Sequence, residues 1–142
     1  MTRIQARKQA EEFLHRCANV EGQLPVRVKR VVRPLVYLAT PYSHPEPAVR
    51  QSRFEAANRA AAKLMNSGVK IFSPISHTHP IAEAGQLPLG WAYWQEYDRA
   101  ILKCCHKIIV LKLAGWEQSK GVKGELDIAK ELGLEIEYIE EV

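Results

Sequence analysis

Two acidic residues stand on helical faces that otherwise read as apolar. Counting three, four and seven positions from Glu125 reaches Ile128, Ala129 and Leu132, the inward stripe of a helix. Asp98 shares a face with Trp94, Ile101 and Cys105: counted from Trp94, Asp98, Ile101 and Cys105 come four, seven and eleven residues on. A carboxylate turned inward loses water, which raises its pKa unless a partner compensates. Two such groups at one crevice supply the chemistry that cleaves a glycosidic bond: one attacks or stabilises the sugar carbon, and one manages protons. Glu125 suits attack and Asp98 the proton role. The plainer readings are a helix-start carboxylate favoured by the macrodipole for Glu125, and a loop cap or arginine partner for Asp98.

What precedes Glu125 sharpens the first assignment. The apolar run Ile108-Ile109-Val110-Leu111 leads into Gly115-Trp116-Glu117-Gln118-Ser119-Lys120-Gly121-Val122-Lys123-Gly124. A strand, a glycine-rich turn and a helix start present backbone N–H groups to an anion. Ser119 adds a hydroxyl, and Gly121 and Gly124 let the backbone approach a ligand. Ser76-His77-Thr78-His79-Pro80 places two imidazoles in an H-x-H pattern, but a zinc site needs three or four ligands; we expect no metal, and His77 in a substrate-contacting loop. Arg50 and Arg53 read as a solvated helix face, with a phosphate or Asp98 as the sharper alternative partners. Among the aromatic residues, Tyr42 and Tyr93 are the expected ligand contacts, with most of the others in the core.

These residues need elements to hold them. Residues 3–18 have loose helical spacing, and 19–34, with Gly22, Pro25 and Pro34, read as a connector. From Leu35 strands and helices alternate. The pattern predicts strands at 35–39, 69–72, 107–113 and 134–139. Helices are expected after Pro45 or Pro47 up to Gly68, over 91–105, and from 124 to 132. A long polar loop is expected from Ser73 to about Leu89, where Pro74, Pro80, Gly85 and Pro88 oppose a helix. Such alternation calls for an α/β fold: a three-layer α/β/α sandwich on a parallel, doubly wound, flavodoxin-like sheet. Ligands of open parallel sheets sit beyond the carboxyl ends of the strands, near a switch in strand order. The loops after the first and third strands, with Thr40, Tyr42 and Ser43 in one and 115–124 in the other, therefore face one crevice.

Composition excludes several classes. The chain has 142 residues, 46 % of them hydrophobic, enough for one globular core. We expect a basic segment at 1–34 and a domain over 35–142, since 1–34 hold 8 Lys and Arg against 3 Asp and Glu while 35–142 hold 12 against 13. The basic segment has little aromatic interleaving and no nucleic-acid motif, so a nucleic-acid partner is not expected. No run of about 18 apolar residues is present, and the N-terminus lacks an apolar signal core. Cys17, Cys104 and Cys105 form no disulfide framework, which points to the cytoplasm.

Over residues 35–139 the sequence resembles the nucleoside 2-deoxyribosyltransferase-like superfamily, which includes the 2'-deoxynucleoside 5'-phosphate N-hydrolases. The resemblance rests on Tyr37-Leu38-Ala39, the helical Asp98, and Ser119-x-Gly121-Val122-x-x-Glu125. Tyr37 to Pro45 also resembles a bacterial subgroup known only as a domain of unknown function. The resemblance implies a flavodoxin-like sheet, a homo-oligomer, Glu125 as nucleophile, Asp98 as the catalytic aspartate, and Ser119 at a 5'-phosphate, with no cofactor. The family's glycine two residues before the glutamate is here Lys123, and its first-loop Gly-Ser is here Thr40-Pro41-Tyr42-Ser43. The expected function is cleavage or transfer at the N-glycosidic bond of a nucleoside 5'-monophosphate or related nucleoside. A non-catalytic nucleotide sensor on the same fold and an interaction module using the N-terminal arm are the alternatives.

Overall fold

A computed structural model describes residues 2–20 and 32–141. The chain divides into two compact units, Met1–Val32 and Arg33–Val142. The first holds helix α1 (Arg3–Val20). Its start is a reciprocal cap: Thr2 Oγ1 accepts the Gln5 N–H and Gln5 Oε1 accepts the Thr2 N–H, at 3.3 and 2.9 Å. The connector expected over 19–34 lies, from 21 to 31, outside the described residues, as does the side chain of Cys17. No helix among the described residues is long and apolar enough to cross a membrane.

The second unit is an α/β fold on a four-stranded, all-parallel sheet. Its strands are β1 (Leu35–Ala39), β2 (Ile71–Phe72), β3 (Cys105–Leu111) and β4 (Glu135–Ile139), in the spatial order β2-β1-β3-β4. Helix α2 (Pro47–Asn66) joins β1 to β2. Helices α3 (Pro74–Gly85) and α4 (Trp91–Leu102) join β2 to β3, and α5 (Lys120–Glu131) joins β3 to β4. Period-two alternation builds two cores on the sheet. Val36, Leu38, Ile109 and Leu111 face Ala56, Ala60 and Ala61 of α2. Tyr37, Ala39, Ile108 and Val110 face Leu102 of α4 and Val122, Ile128 and Ala129 of α5. Helices on both faces make the three layers.

The order of strands reverses direction between β1 and β3, so the chain leaves their carboxyl ends on opposite faces. That divergence opens the crevice predicted from the sequence. Gly115 takes a positive φ of 87° to turn the chain after β3. A single 3-10 turn, Trp116–Gln118, then leads to the Ser119 cap of α5.

The loop expected between Ser73 and Leu89 is largely helix α3. Ser73 caps it by accepting the Ser76 N–H, and Pro74 opens it, where a missing N–H costs nothing. Pro80 removes one interior hydrogen bond. Pro74, Thr78, His79 and Ala82 are nevertheless buried along one face, and that packing outweighs the proline. Helix α5 begins at Lys120, four residues before the expected start, so Glu125 lies in its second turn.

Leu38 is fully buried at the centre of the sheet, whereas Met65 on α2 is exposed. Leu38→Ala should cost about 2–5 kcal/mol of stability, and Met65→Ala no more than about 0.5 kcal/mol. Paired urea titrations monitored by circular dichroism would check both values.

Candidate active site

A cavity of about 340 Å³ opens at the carboxyl ends of β1 and β3. Five segments wall it: the loop after β1, α3, the residues before α4, α4 itself, and the Gln118–Gly121 turn with Glu125 behind it. Ser119 Oγ accepts the Val122 N–H at 3.2 Å, and Lys123 N–H bonds to the Ser119 carbonyl. The amides of Lys120 and Gly121 have no partner among the described residues, so they remain as donors at the helix start.

Asp98 and Glu125 come from different helices to the same wall, and both are buried, at 7 % and 5 % exposure. Tyr37, fully buried on β1, donates its hydroxyl proton to Glu125 Oε1 at 2.7 Å. Glu125 Oε2 meets no hydrogen-bond partner among the described residues, and neither does Thr40 Oγ1. Burial pushes Asp98 up to about 7, partly offset by the Tyr37 hydroxyl. Burial also holds Glu125 well above the usual carboxylate range, reinforced by the charge of Asp98 and opposed by Tyr37. Tyr37 itself is raised by burial and by the two carboxylates, so it stays a proton donor. The arrangement is a coupled pair of acids that cannot cheaply both ionise, with one oxygen fixed and another directed to no protein group.

Seven of the eleven site residues expected from the sequence line this cavity: Thr40, Tyr42, Ser43, Asp98, Ser119, Gly121 and Glu125. The other four have different places. Tyr37 lies beneath the wall as the partner of Glu125. His77 is exposed and tilts against Phe72, its ring centroid 6.1 Å away. Tyr93 is half-exposed, edge-on to Trp94, and the aromatic wall is Trp91 and Trp94 instead. Gly124 is required by packing: a Cβ there would lie 2.3 Å from the Trp91 indole. Its missing side chain admits a tryptophan, not a ligand.

The two arginines brace the crevice. Arg53 donates to the carbonyls of Ser43 and Ala114, tying the loop after β1 to the loop after β3. Arg50 donates to the carbonyls of His44 and Pro45. His79, and not His77, is the buried imidazole; it bonds to Tyr42 and Gln51. Among the described residues no group of three His, Cys, Asp or Glu side chains is placed to hold a metal. The α3 wall was missed because its prolines read as loop. A serine-proline start followed by Pro74, Thr78 and Ala82 at four-residue intervals is the signal that would have found it.

Residues 34–141 match the model of a family described as a domain of unknown function (DUF1937). No curated protein matches the chain.

Two outcomes follow from this geometry. Gly124→Ala must displace Trp91, so we expect a changed tryptophan emission spectrum and a loss of about 1–3 kcal/mol of stability. Second, the folded protein holds protons that the unfolded chain releases, because Asp98 moves from 3.8 to about 7. Stability should therefore fall as pH rises from about 4 through 7, by a few kcal/mol. Asp98→Asn should flatten that slope in urea midpoints measured across this window. A stability that climbs equally in both proteins would show that neither acid is held protonated.

Proposed function

We propose that this chain, which belongs to the DUF1937 family, cleaves or transfers at the N-glycosidic bond of a nucleoside 5'-monophosphate or a related nucleoside. The observation that carries the reading is Glu125: Oε1 fixed by Tyr37, Oε2 unpartnered, and the side chain in the wall of a cavity it shares with a second buried acid. The resemblance to the deoxyribosyltransferase-like superfamily supports the same assignment, residue by residue, at Asp98, Ser119 and Glu125.

Tyr37 has one proton; its hydrogen bond goes to Glu125 at 2.7 Å, and Asp98 feels the same hydroxyl only as the smaller influence beside its burial. In a singly protonated pair this favours the negative charge on Glu125 and the remaining proton on Asp98. Glu125 Oε2 attacks the anomeric carbon as the bond to the base nitrogen breaks, and the bonding electrons leave with the base. Asp98 gives its proton to the departing base. The sugar is then an ester of Glu125. Water attacks the anomeric carbon, the ester oxygen leaves as the Glu125 carboxylate, and Asp98 takes the water's proton. A second base attacking in place of water completes a transfer. Charge developing on the sugar ring is positive, so the Glu125 carboxylate stabilises it more strongly in dry surroundings than it would in water. The phosphate would bind the amides of Lys120 and Gly121 and the Ser119 hydroxyl.

The test is release of free base from ribo- and deoxyribonucleoside 5'-monophosphates, with and without an acceptor base. Glu125→Gln should slow release by at least about a thousandfold, and Asp98→Asn by about 10²–10⁴-fold. Release indifferent to Glu125→Gln, or none from any nucleotide, would sink the enzyme reading. Tight binding without turnover, surviving Glu125→Gln, would mark a sensor.

A further inference from the structure

The cavity crosses the carboxyl end of β1, because β1 lies between β2 and β3, α3 follows β2, and α5 follows β3. Its two ends offer a ligand opposite things. At the α5 end, Ser119 Oγ accepts the Val122 N–H and keeps its own proton, beside the amides of Lys120 and Gly121. That end donates. At the α3 end two hydroxyl-bearing residues line the wall, and each has given its single proton to the protein. Thr78 donates to the Pro74 carbonyl at 2.9 Å, and Tyr42 to His79 Nδ1.

The direction of the last bond is set by its neighbours. Gln51 Nε2 donates to Glu55 Oε1 at 3.0 Å, which turns the amide oxygen towards His79 Nε2, also at 3.0 Å. Nε2 therefore carries a ring proton towards Gln51, which leaves Nδ1 as the acceptor and Tyr42 as the donor. Stacking on Phe54, with ring centroids 4.4 Å apart, holds the imidazole in place. Burial and the charge of Glu83 raise the Tyr42 phenol, with Arg50 opposing, so it stays protonated at neutral pH. A hydroxyl has one proton and two lone pairs. A ligand that reaches Tyr42 and Thr78 meets lone pairs.

We propose that the α3 end of the cavity selects its ligand by N–H donors. On the nucleotide reading, on which this inference rests, it takes a base with an exocyclic amino group, cytosine or adenine, over the oxo counterpart, uracil or hypoxanthine. An oxo oxygen there would set lone pairs against lone pairs and leave buried acceptors unpaired, which discriminates more strongly than a missing contact.

The experiment measures binding of matched nucleoside 5'-monophosphates, cytosine against uracil and adenine against hypoxanthine, to full-length Glu125→Gln by calorimetry. The amino member of each pair should bind at least about tenfold more tightly. Adding Tyr42→Phe or Thr78→Val should pull the ratio towards one. His79→Phe keeps a ring on Phe54 but frees the Tyr42 proton, so the oxo member should bind better than before; if that variant fails to fold, Tyr42→Phe decides. Equal affinities, an oxo preference, or a ratio unmoved by both Tyr42→Phe and Thr78→Val would overturn the proposal. Base release by the wild type separates the two claims. Amino-selective binding without release keeps this inference and removes glycosidic cleavage. Release without selectivity does the reverse, and no nucleotide binding overturns both.

Discussion

The hydrogen bond from Tyr37 to Glu125 is the interaction around which the site is arranged. Two carboxylates buried on one face of a sheet cost several kcal/mol each if ionised and unpaired. A single hydrogen bond to a charged group contributes only about 1.5–3 kcal/mol. Among the described residues no ion pair closes that gap: Arg50 and Arg53 of α2 direct guanidinium donors to backbone carbonyls. A protein selected for stability alone would place apolar residues at 98 and 125. Burial instead favours a proton on the pair, and the cavity beside it is where a ligand would meet those acids.

The neighbourhood follows from this arrangement. Tyr37 occupies the one face of β1 turned to α4 and α5, with no exposure to solvent; a phenylalanine would fill the same volume and supply no proton. Gly124 lets the Trp91 indole lie against α5 beside Glu125, which dries that side of the site. Arg53 then fixes the separation of the two crevice loops by holding a carbonyl from each.

Much of this was legible in the sequence because it is encoded by period. The first three strands carry short apolar runs and the fourth alternates Glu with apolar residues, and their alternation with helices leaves little choice of topology. Asp98 and Glu125 stood out for the same reason, as acids in apolar helical stripes. What escaped depends on contacts between elements, which spacing does not encode. Trp91 and Trp94 line the cavity because of where α4 meets α5. His79, and not His77, turns inward because of the face α3 presents to Phe54. Gly124 read as a ligand approach, since a missing Cβ looks the same whether a phosphate or an indole fills the space. Prolines at 74 and 80 read as loop because local propensity was weighed without the buried face that overrides it.

One of those prolines bears on where an anion would find open backbone donors. In a parallel sheet every helix that follows a strand begins at the same end, so α2, α3 and α5 all bring N-termini towards the carboxyl ends of the strands. Each is by its backbone an anion site. Pro47 opens α2 and Pro74 opens α3, and a proline offers no N–H. Helix α5 opens with Lys120 and Gly121, whose amides are unpartnered among the described residues and line the cavity next to a cationic side chain. Helix α5 thus keeps the N–H that α2 and α3 each lose to proline, on the side of β1 where Glu125 lies. An anionic group held there leaves the remainder of the ligand to extend across β1 towards α3. Glu125 and Asp98 then stand beside the middle of the ligand, where a sugar would join phosphate to base.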